Sequence, residues 1–197
     1  MDHILKKYCP RIDFDSYEDF YENFKINVPE AFNFGFDVVD EWAAVEPDKK
    51  ALLWCNDAGE ERTFTFTDIA RLSNKAANAF RGLGIAKGDV VLCILRRRWE
   101  YWVVATALCK LGATIIPATL QLTKKDISYR ANSADVKAMV CVNDPYVVEQ
   151  TEEALAEAPS IKNTILVDGQ REGWISFDSL IENESETFER PTGDAGV

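Results

Sequence analysis

The sequence predicts an α/β fold, with a mostly parallel sheet flanked by helices on both faces and preceded by a β-hairpin. Two observations support this class. From residue 67 onward, short continuous apolar runs alternate with stretches whose apolar residues recur at a period near 3.6. Before them, two strand-like segments flank a turn-forming triplet at residues 57–59. Strands that alternate with helices in this way are joined by right-handed crossovers, which makes the strands parallel and covers both faces of the sheet.

The first elements precede the sheet. Ser16 is a candidate N-cap for an amphipathic helix over SYEDFYENF, whose aromatic residues share one face that we expect to pack on the body of the protein. A second helix is predicted around Trp42 and should end before Pro47. Between the two helices, aromatic residues surround Gly35 and predict a packed loop.

The hairpin comes next. Its strands are ALLWCN and ERTFTF, and the turn between them ends at Gly59, which can adopt the left-handed conformation that short hairpins need. Because side chains alternate along a strand, Phe64 and Phe66 should point to the same side.

The alternating part of the chain is predicted to contain helices and strands in strict succession. In chain order they are a helix from Thr67 to the glycines at 82 and 84, the strand VVLCIL, a helix from about Trp99 to Leu111 closed by Gly112, the strand ATIIPA, a helix opened by Thr123 with Asp126, the strand KAMVCV, a helix opened by Asp144-Pro145, and the strand NTILVD. After Gly173, WISFDSLI predicts one short helical turn.

The end of the chain differs in composition. The stretch ENESETFERPTGDAGV is acidic, contains Pro and Gly, and has almost no apolar residues. We therefore expect one subdomain over residues 1–183 and an acidic linker or cut end over residues 184–197.

Charge and composition exclude several classes of function. Acidic residues outnumber basic ones by 33 to 22, so the net charge of -11 repels nucleic acid. No stretch approaches the ~20 apolar residues that span a bilayer. The opening residues resemble neither a signal nor a transit peptide, which predicts a cytoplasmic protein.

The five cysteines are scattered without a C-x-x-C pair, so we expect no metal site or disulfide, and Cys93 and Cys141 should be buried apolar residues.

Familiar catalytic motifs are missing. The glycines at 82, 84 and 88 close a helix and lead into a strand, whereas a dinucleotide-binding fingerprint follows a strand and opens a helix. No P-loop is found, and an unrelated nucleotide-binding domain is therefore disfavoured. The only histidine is His3, which leaves no Ser-His-Asp set. We expect no catalytic residue in this chain.

Arg96-Arg97-Arg98 is the one dense basic feature of an acidic chain. It lies at the carboxyl end of the VVLCIL strand, just before a helix. Ligands of open α/β sheets bind at the carboxyl ends of strands, and helix starts favour anions, so these arginines are candidate contacts to the phosphates of a nucleotide or coenzyme. The alternative is that they pair with local acids such as Glu100.

Four separated blocks of the sequence carry a family resemblance. The run TFTFTDIARLSNKAANAFRGLGIAKGDVVLCIL resembles the opening of the adenylate-forming superfamily. The run WEYWVVATALCKLGATIIPATLQLTKKDISYR is similar to the next helix, strand and Thr-x-Gln loop of medium-chain acyl-CoA synthetases, and NFGFDVVDEWA and GWISFDSLI resemble the same subgroup. The resemblance covers nearly the whole chain and implies the N-terminal subdomain of an AMP-forming acyl-CoA synthetase.

The resemblance implies a two-step reaction. A carboxylic acid and ATP form an acyl-adenylate and pyrophosphate with the help of Mg²⁺, and the thiol of CoA then displaces AMP. Gln121 matches a glutamine that contacts CoA in the medium-chain enzymes, and an amide can both donate and accept hydrogen bonds. The alternative is that Gln121 only braces its turn. The three arginines replace a proline-containing turn of the family, so the resemblance implies no role for them.

The family's phosphate loop, TSGTTG-x-P-K, is absent from these 197 residues. Its adenine, ribose and magnesium contacts and the lysine of its C-terminal domain are absent too. We therefore expect a parent ligase to which this chain contributes an inactive first part that binds no cofactor tightly. An apolar surface that the rest of the polypeptide would cover should make the chain associate or lose stability. The alternative is a stand-alone, non-catalytic binding or scaffolding module with the same fold.

Overall fold

A parallel sheet of five strands forms the centre of the protein, and a two-stranded antiparallel hairpin precedes it. A computed structural model describes residues 2–192. The strands are β1 (Lys50–Cys55), β2 (Glu61–Thr65), β3 (Val90–Ile94), β4 (Thr114–Pro117), β5 (Val136–Val142), β6 (Asn163–Val167) and β7 (Ile175–Ser176). The sheet has the order β4-β3-β5-β6-β7, every neighbouring pair in it is parallel, and β1 pairs with β2 as the hairpin. The predicted α/β class is confirmed.

From α4 onward, most helices begin and end close to the residues that the sequence indicates, whereas α1 was not predicted. They are α1 (Asp2–Tyr8), α2 (Tyr17–Asn23), a π-helical turn (Gly35–Asp40), α3 (Glu41–Val45), α4 (Phe66–Gly82), α5 (Glu100–Leu111), α6 (Lys124–Ala134), α7 (Pro145–Leu155) and α8 (Phe177–Glu182). Capping boxes open α4 at Thr65 and α6 at Thr123. Gly112 ends α5 in the left-handed conformation, with φ 71°.

Helices cover both faces of the sheet. Alternate residues of β3 face opposite sides, so Val91 packs with α4 and α5, whereas Leu92 packs with α6 and α7. Phe80 of α4 and Ile127 of α6 are fully buried. Burial of one such side chain contributes about 1.5–3 kcal/mol. This arrangement explains why the β3 sequence is apolar at every position.

The prediction that the first amphipathic helix packs on the body is wrong. No residue of α2 is buried, and Tyr17 and Tyr21 are 71% and 76% exposed. Phe20 and Phe24 contact each other and Phe14 instead of the body. The spacing of aromatic residues predicts that they share a face, but it does not predict what that face contacts.

Three local predictions also need correction. Phe66 does not continue β2, because the capping box at Thr65 begins α4 there, and its ring stacks on Trp42. Gly35 is the first residue of a π-helical turn rather than part of a loop. Ile175 and Ser176, predicted as helical, form the short strand β7 beside β6 before α8 begins.

Residues 184–192 lie against the body of the protein. The amide of Asn78 on α4 donates to the carbonyl oxygens of Ser185 and Thr187 at 3.0 and 2.9 Å. Phe188 is buried, and Arg190 forms two hydrogen bonds to the carboxylate of Asp37. This part of the predicted linker is therefore packed. Residues 193–197 lie outside the described part, and the boundary at residue 183 stays a prediction.

Candidate functional site

A groove of about 750 Å³ opens at the carboxyl ends of β3 and β4. These strands are parallel neighbours, so the loops that follow them lie side by side. The groove is lined by residues 52–55 of β1, residues 95–98 after β3, the first turn of α5, and residues 117–121 after β4. It therefore brings together Arg96–Arg98 and Gln121, which the sequence indicates separately.

Arg96 and Arg97 are the exposed members of the arginine turn. Arg96 has a φ of 50°, in the left-handed region, which costs a non-glycine residue about 1–2 kcal/mol. Within residues 2–192, neither guanidinium has an ion-pair partner. Two fixed positive charges with free N–H donors at the carboxyl edge of a parallel sheet are suited to an anionic ligand.

Arg98 behaves differently from its two neighbours. Its guanidinium donates to both carboxylate oxygens of Glu100, at 3.1 and 2.7 Å, and to Asp168 at 2.9 Å. Burial alone would lower the pKa of Arg98, but the hydrogen bonds to Glu100 and the charge of Asp168 raise it above its ordinary value. Pairing with local acids therefore describes Arg98, while Arg96 and Arg97 remain available to a ligand.

Gln121 lies on the exposed loop between β4 and α6. Its backbone N–H donates to the hydroxyl of Thr119 at 3.4 Å, a long contact. Its side-chain amide makes no hydrogen bond within the described part of the chain. Gln121 lines the groove, and contact with a ligand stays a prediction.

The apolar wall of the groove is not among the site residues predicted from the sequence. Trp54 of β1 donates its indole N–H to the carbonyl oxygen of Arg97 at 2.6 Å, which ties the hairpin to the arginine turn. Leu53 and Trp102 are each 53% exposed beside it. The signal was present in ALLWC, which is apolar at every position although only one face of β1 reaches the core.

The thiols near the sheet are not suited to nucleophilic chemistry. Cys93 lies at the floor of the groove but is only 1% exposed, and burial raises its pKa. Burial also raises the pKa of Cys141 to about 12. Among residues 2–192, no group of three or more His, Cys, Asp and Glu side chains is arranged to hold a metal ion. No helix in that part is long and apolar enough to cross a membrane.

A parallel α/β sheet with a cationic groove at the carboxyl ends of its strands defines a ligand-binding domain of the doubly wound type. Comparison with known proteins identifies the family within this class. Residues 39–194 match the family model of the AMP-binding enzyme, and the chain belongs to this family.

Similar proteins support the same assignment. The chain is 36% identical over 166 residues to the acyl-coenzyme A synthetase ACSM4, mitochondrial, of Rattus norvegicus, an alignment that covers 81% of this chain and 28% of that protein. It is 32% identical over 182 residues to the acyl-coenzyme A synthetase ACSM3, mitochondrial, of Homo sapiens, covering 89% and 31%. The chain therefore spans about three tenths of the length of these relatives. The predicted resemblance to acyl-CoA synthetases is confirmed.

A solved structure shows the same fold. The crystal structure of the anthranilate CoA ligase AuaEII in complex with anthranoyl-AMP matches with a TM-score of 0.73 and 21% sequence identity, over 82% of this chain and 30% of that one. At this level of identity, the similarity establishes the fold alone.

Proposed function

We propose that this chain is the N-terminal part of an ATP-dependent acyl-CoA synthetase, which joins a carboxylic acid to CoA and converts ATP into AMP and pyrophosphate. The observation that carries the proposal is the groove in which Arg96, Arg97 and Gln121 lie beside an apolar wall. The similarity to proteins named acyl-coenzyme A synthetases supports the same reaction.

The groove offers each kind of contact that CoA needs. CoA carries a diphosphate and a 3′-phosphate, which the free guanidinium groups of Arg96 and Arg97 can bind through charge-assisted hydrogen bonds. The amide of Gln121 can both donate to and accept from the amides of the pantetheine arm. The indoles of Trp54 and Trp102 give flat apolar surfaces for the adenine ring or for the methylene groups of the arm.

The chemistry of the proposed reaction explains why CoA alone is not enough. A carboxylate is a poor acyl donor, so its oxygen first attacks the α-phosphorus of ATP and expels pyrophosphate. The sulfur of CoA then attacks the acyl carbon, expels AMP and loses its proton. When bound, Mg²⁺ offsets the charge of the phosphates. The residues of this chain contribute to the second step by holding CoA.

We assign ATP and Mg²⁺ binding to other residues of the parent protein. The 197 residues contain no Ser/Thr/Gly-rich phosphate loop. The isolated chain should therefore form no acyl-adenylate and hold no nucleotide tightly. The cytoplasmic location stays a prediction, whereas the relatives named above are mitochondrial.

Calorimetric titration of CoA and of ATP into the isolated chain tests the proposal. CoA should bind weakly, because the rest of the parent protein is missing, and Arg97→Gln or Gln121→Ala should weaken that binding about tenfold, as expected for one lost hydrogen bond to a charged or polar ligand. Arg71→Gln, which removes the same charge from α4 outside the groove, is the matched control. Tight binding of ATP, or CoA affinity that is unchanged by both groove variants, contradicts the proposal.

The coding sequence beyond Val197 separates the parent enzyme from the stand-alone module. A downstream phosphate loop, together with acid-dependent release of pyrophosphate by the longer protein, supports the synthetase. A stop codon directly after Val197 supports the non-catalytic binding module instead.

A further inference from the structure

We infer that Arg98 is a positioning residue for the CoA groove: it locks the arginine turn and the hairpin wall together so that Arg96 and Arg97 present their charges to the ligand. The inference rests on the proposed function for the ligand, but its structural part can be tested without CoA.

The guanidinium of Arg98 joins two separate parts of the sheet edge. Glu100, which is only 2% exposed, begins α5 and accepts two hydrogen bonds from Arg98. Asp168 follows β6, 70 residues further along the chain, and accepts a third at 2.9 Å. The carboxyl ends of β3 and β6 are thus linked through one side chain.

The same guanidinium also contacts the hairpin. Its central carbon lies 5.5 Å from the centroid of the Trp54 ring, and the indole N–H of Trp54 donates to the carbonyl oxygen of the adjacent Arg97. One face of the Arg98 guanidinium therefore contacts Trp54, while Glu100 and Asp168 fix the position of that guanidinium through hydrogen bonds. The turn itself is closed by the backbone N–H of Arg98, which donates to the carbonyl oxygen of Leu95 at 3.1 Å, and Arg96 adopts a left-handed φ within it.

Charge disfavours a direct contact between Arg98 and a phosphate. Arg98 contributes one positive charge, and Glu100 and Asp168 contribute two negative charges, so this group carries a net charge of -1. Only 20% of the Arg98 side chain is exposed. An incoming phosphate would meet repulsion there and attraction at Arg96 and Arg97.

The indole N–H resonance of Trp54 in a ¹⁵N-labelled sample reports on this lock. Arg98→Lys keeps the charge, but a compact ammonium cannot form the two-oxygen fork with Glu100, contact Asp168 and cover Trp54 at once. The Trp54 signal should therefore move and its hydrogen exchange should quicken. Arg171→Lys is the matched control: Arg171 makes a similar fork to Glu152, which also accepts from Trp174, so this variant should change Trp174 and leave Trp54 alone.

Asp168→Asn provides a second variant that does not endanger the fold, because the Asp168 side chain is 59% exposed. It should also shift the Trp54 resonance. If Arg98 acted by charge alone, removal of this negative charge would tighten CoA binding and Arg98→Lys would leave it unchanged. A positioning role predicts the reverse: Arg98→Lys weakens CoA binding about tenfold, and Asp168→Asn does not tighten it.

The outcomes separate the two proposals. A Trp54 resonance that is unchanged in both variants overturns the positioning role, and so does wild-type CoA affinity in Arg98→Lys. If Trp54 moves as expected but the unaltered chain binds no CoA, the lock is supported and the proposed function fails.

Discussion

Replacement of Lys110 by methionine should destabilise the protein by removing one half of a buried ion pair. The Lys110 side chain has no exposed surface, and its Nζ lies 2.7 Å from a carboxylate oxygen of Asp40 and 2.6 Å from the amide oxygen of Asn74. The pair joins α5 to the residue that ends the π-helical turn. Methionine keeps the volume of the stem and removes the charge and its donors.

The size of the effect follows from what is left behind. Breaking a fully buried pair costs about 3–5 kcal/mol, because the remaining charge is desolvated without a partner. Asp40 keeps 30% of its side-chain exposure, so water reaches its carboxylate and we expect about 2–3 kcal/mol. Burial outweighs the attraction of Asp40 and lowers the pKa of Lys110, and it likewise raises the pKa of Asp40. Both directions show that the pair is expensive to bury, so removal of both charges should cost much less than removal of one.

Urea unfolding followed by tryptophan fluorescence measures these free energies. Lys110→Met should lower the free energy of unfolding, and addition of Asp40→Asn should restore most of the loss. Lys137→Met, which breaks the exposed pair with Asp135, is the matched control and should leave stability nearly unchanged. The reasoning is refuted if Lys110→Met stays within about 0.5 kcal/mol of the parent chain, or if the double variant is as unstable as the single one.

Three further predictions concern stability. Phe188→Ala should cost about 3 kcal/mol in the same assay, because a buried ring leaves a cavity, and no loss would show that the tail does not contribute. Burial alone would raise the pKa of Asp37, but the hydrogen bonds from Arg190 and a backbone amide hold this pKa below its ordinary value of 3.8. The contribution of Asp37 to the free energy of unfolding is therefore fully present above pH 3.8, and it is lost as the pH falls through the lower pKa of the folded state. Stability should therefore fall less steeply below that pH in Asp37→Asn, and parallel pH curves would contradict the ion pair. Gly112→Ala should lower the free energy of unfolding by about 1 kcal/mol, because Gly112 has a left-handed φ. Gly82→Ala should not lower it, because Gly82 is helical and a Cβ there meets no other atom. Equal effects of the two variants would contradict the idea that the left-handed φ causes the loss at Gly112.

Most elements of the fold could be predicted because their signals are local. Thr123 and Asp126 lie three residues apart and form the capping box themselves, and Gly112 ends α5 by its own conformation. The strand β7 gave no such signal, since two residues cannot show a period, and Ile175 pairs only because β6 lies beside it. Local chemistry therefore specifies where helices begin and end, whereas the shortest strand depends on its neighbour.

The candidate site could be predicted only in part, for the same reason. The rule that ligands bind at the carboxyl ends of strands indicated the arginine turn, and the resemblance to medium-chain acyl-CoA synthetases indicated Gln121. The contact of Arg97 with Trp54 spans 43 residues, and that of Arg98 with Asp168 spans 70. Glu100 could be predicted as a partner of Arg98 because it is two residues away, whereas Asp168 comes close to Arg98 only through the folded sheet and leaves no local signal.

The tail shows how composition can mislead about where a packed unit ends. One apolar residue in the stretch from 184 to 192 is buried, and a count of apolar side chains therefore predicts a linker. Yet three of the hydrogen bonds that hold this stretch go to its backbone: Asn74 donates to the carbonyl oxygen of Glu186, and Asn78 donates to those of Ser185 and Thr187. Any sequence supplies carbonyl acceptors, so such contacts leave no trace in composition. The donors lie on α4 instead: Asn74 and Asn78 are four residues apart and share one helical face, but a polar face of this kind is also what solvent exposure produces, so it does not reveal the tail that packs on it.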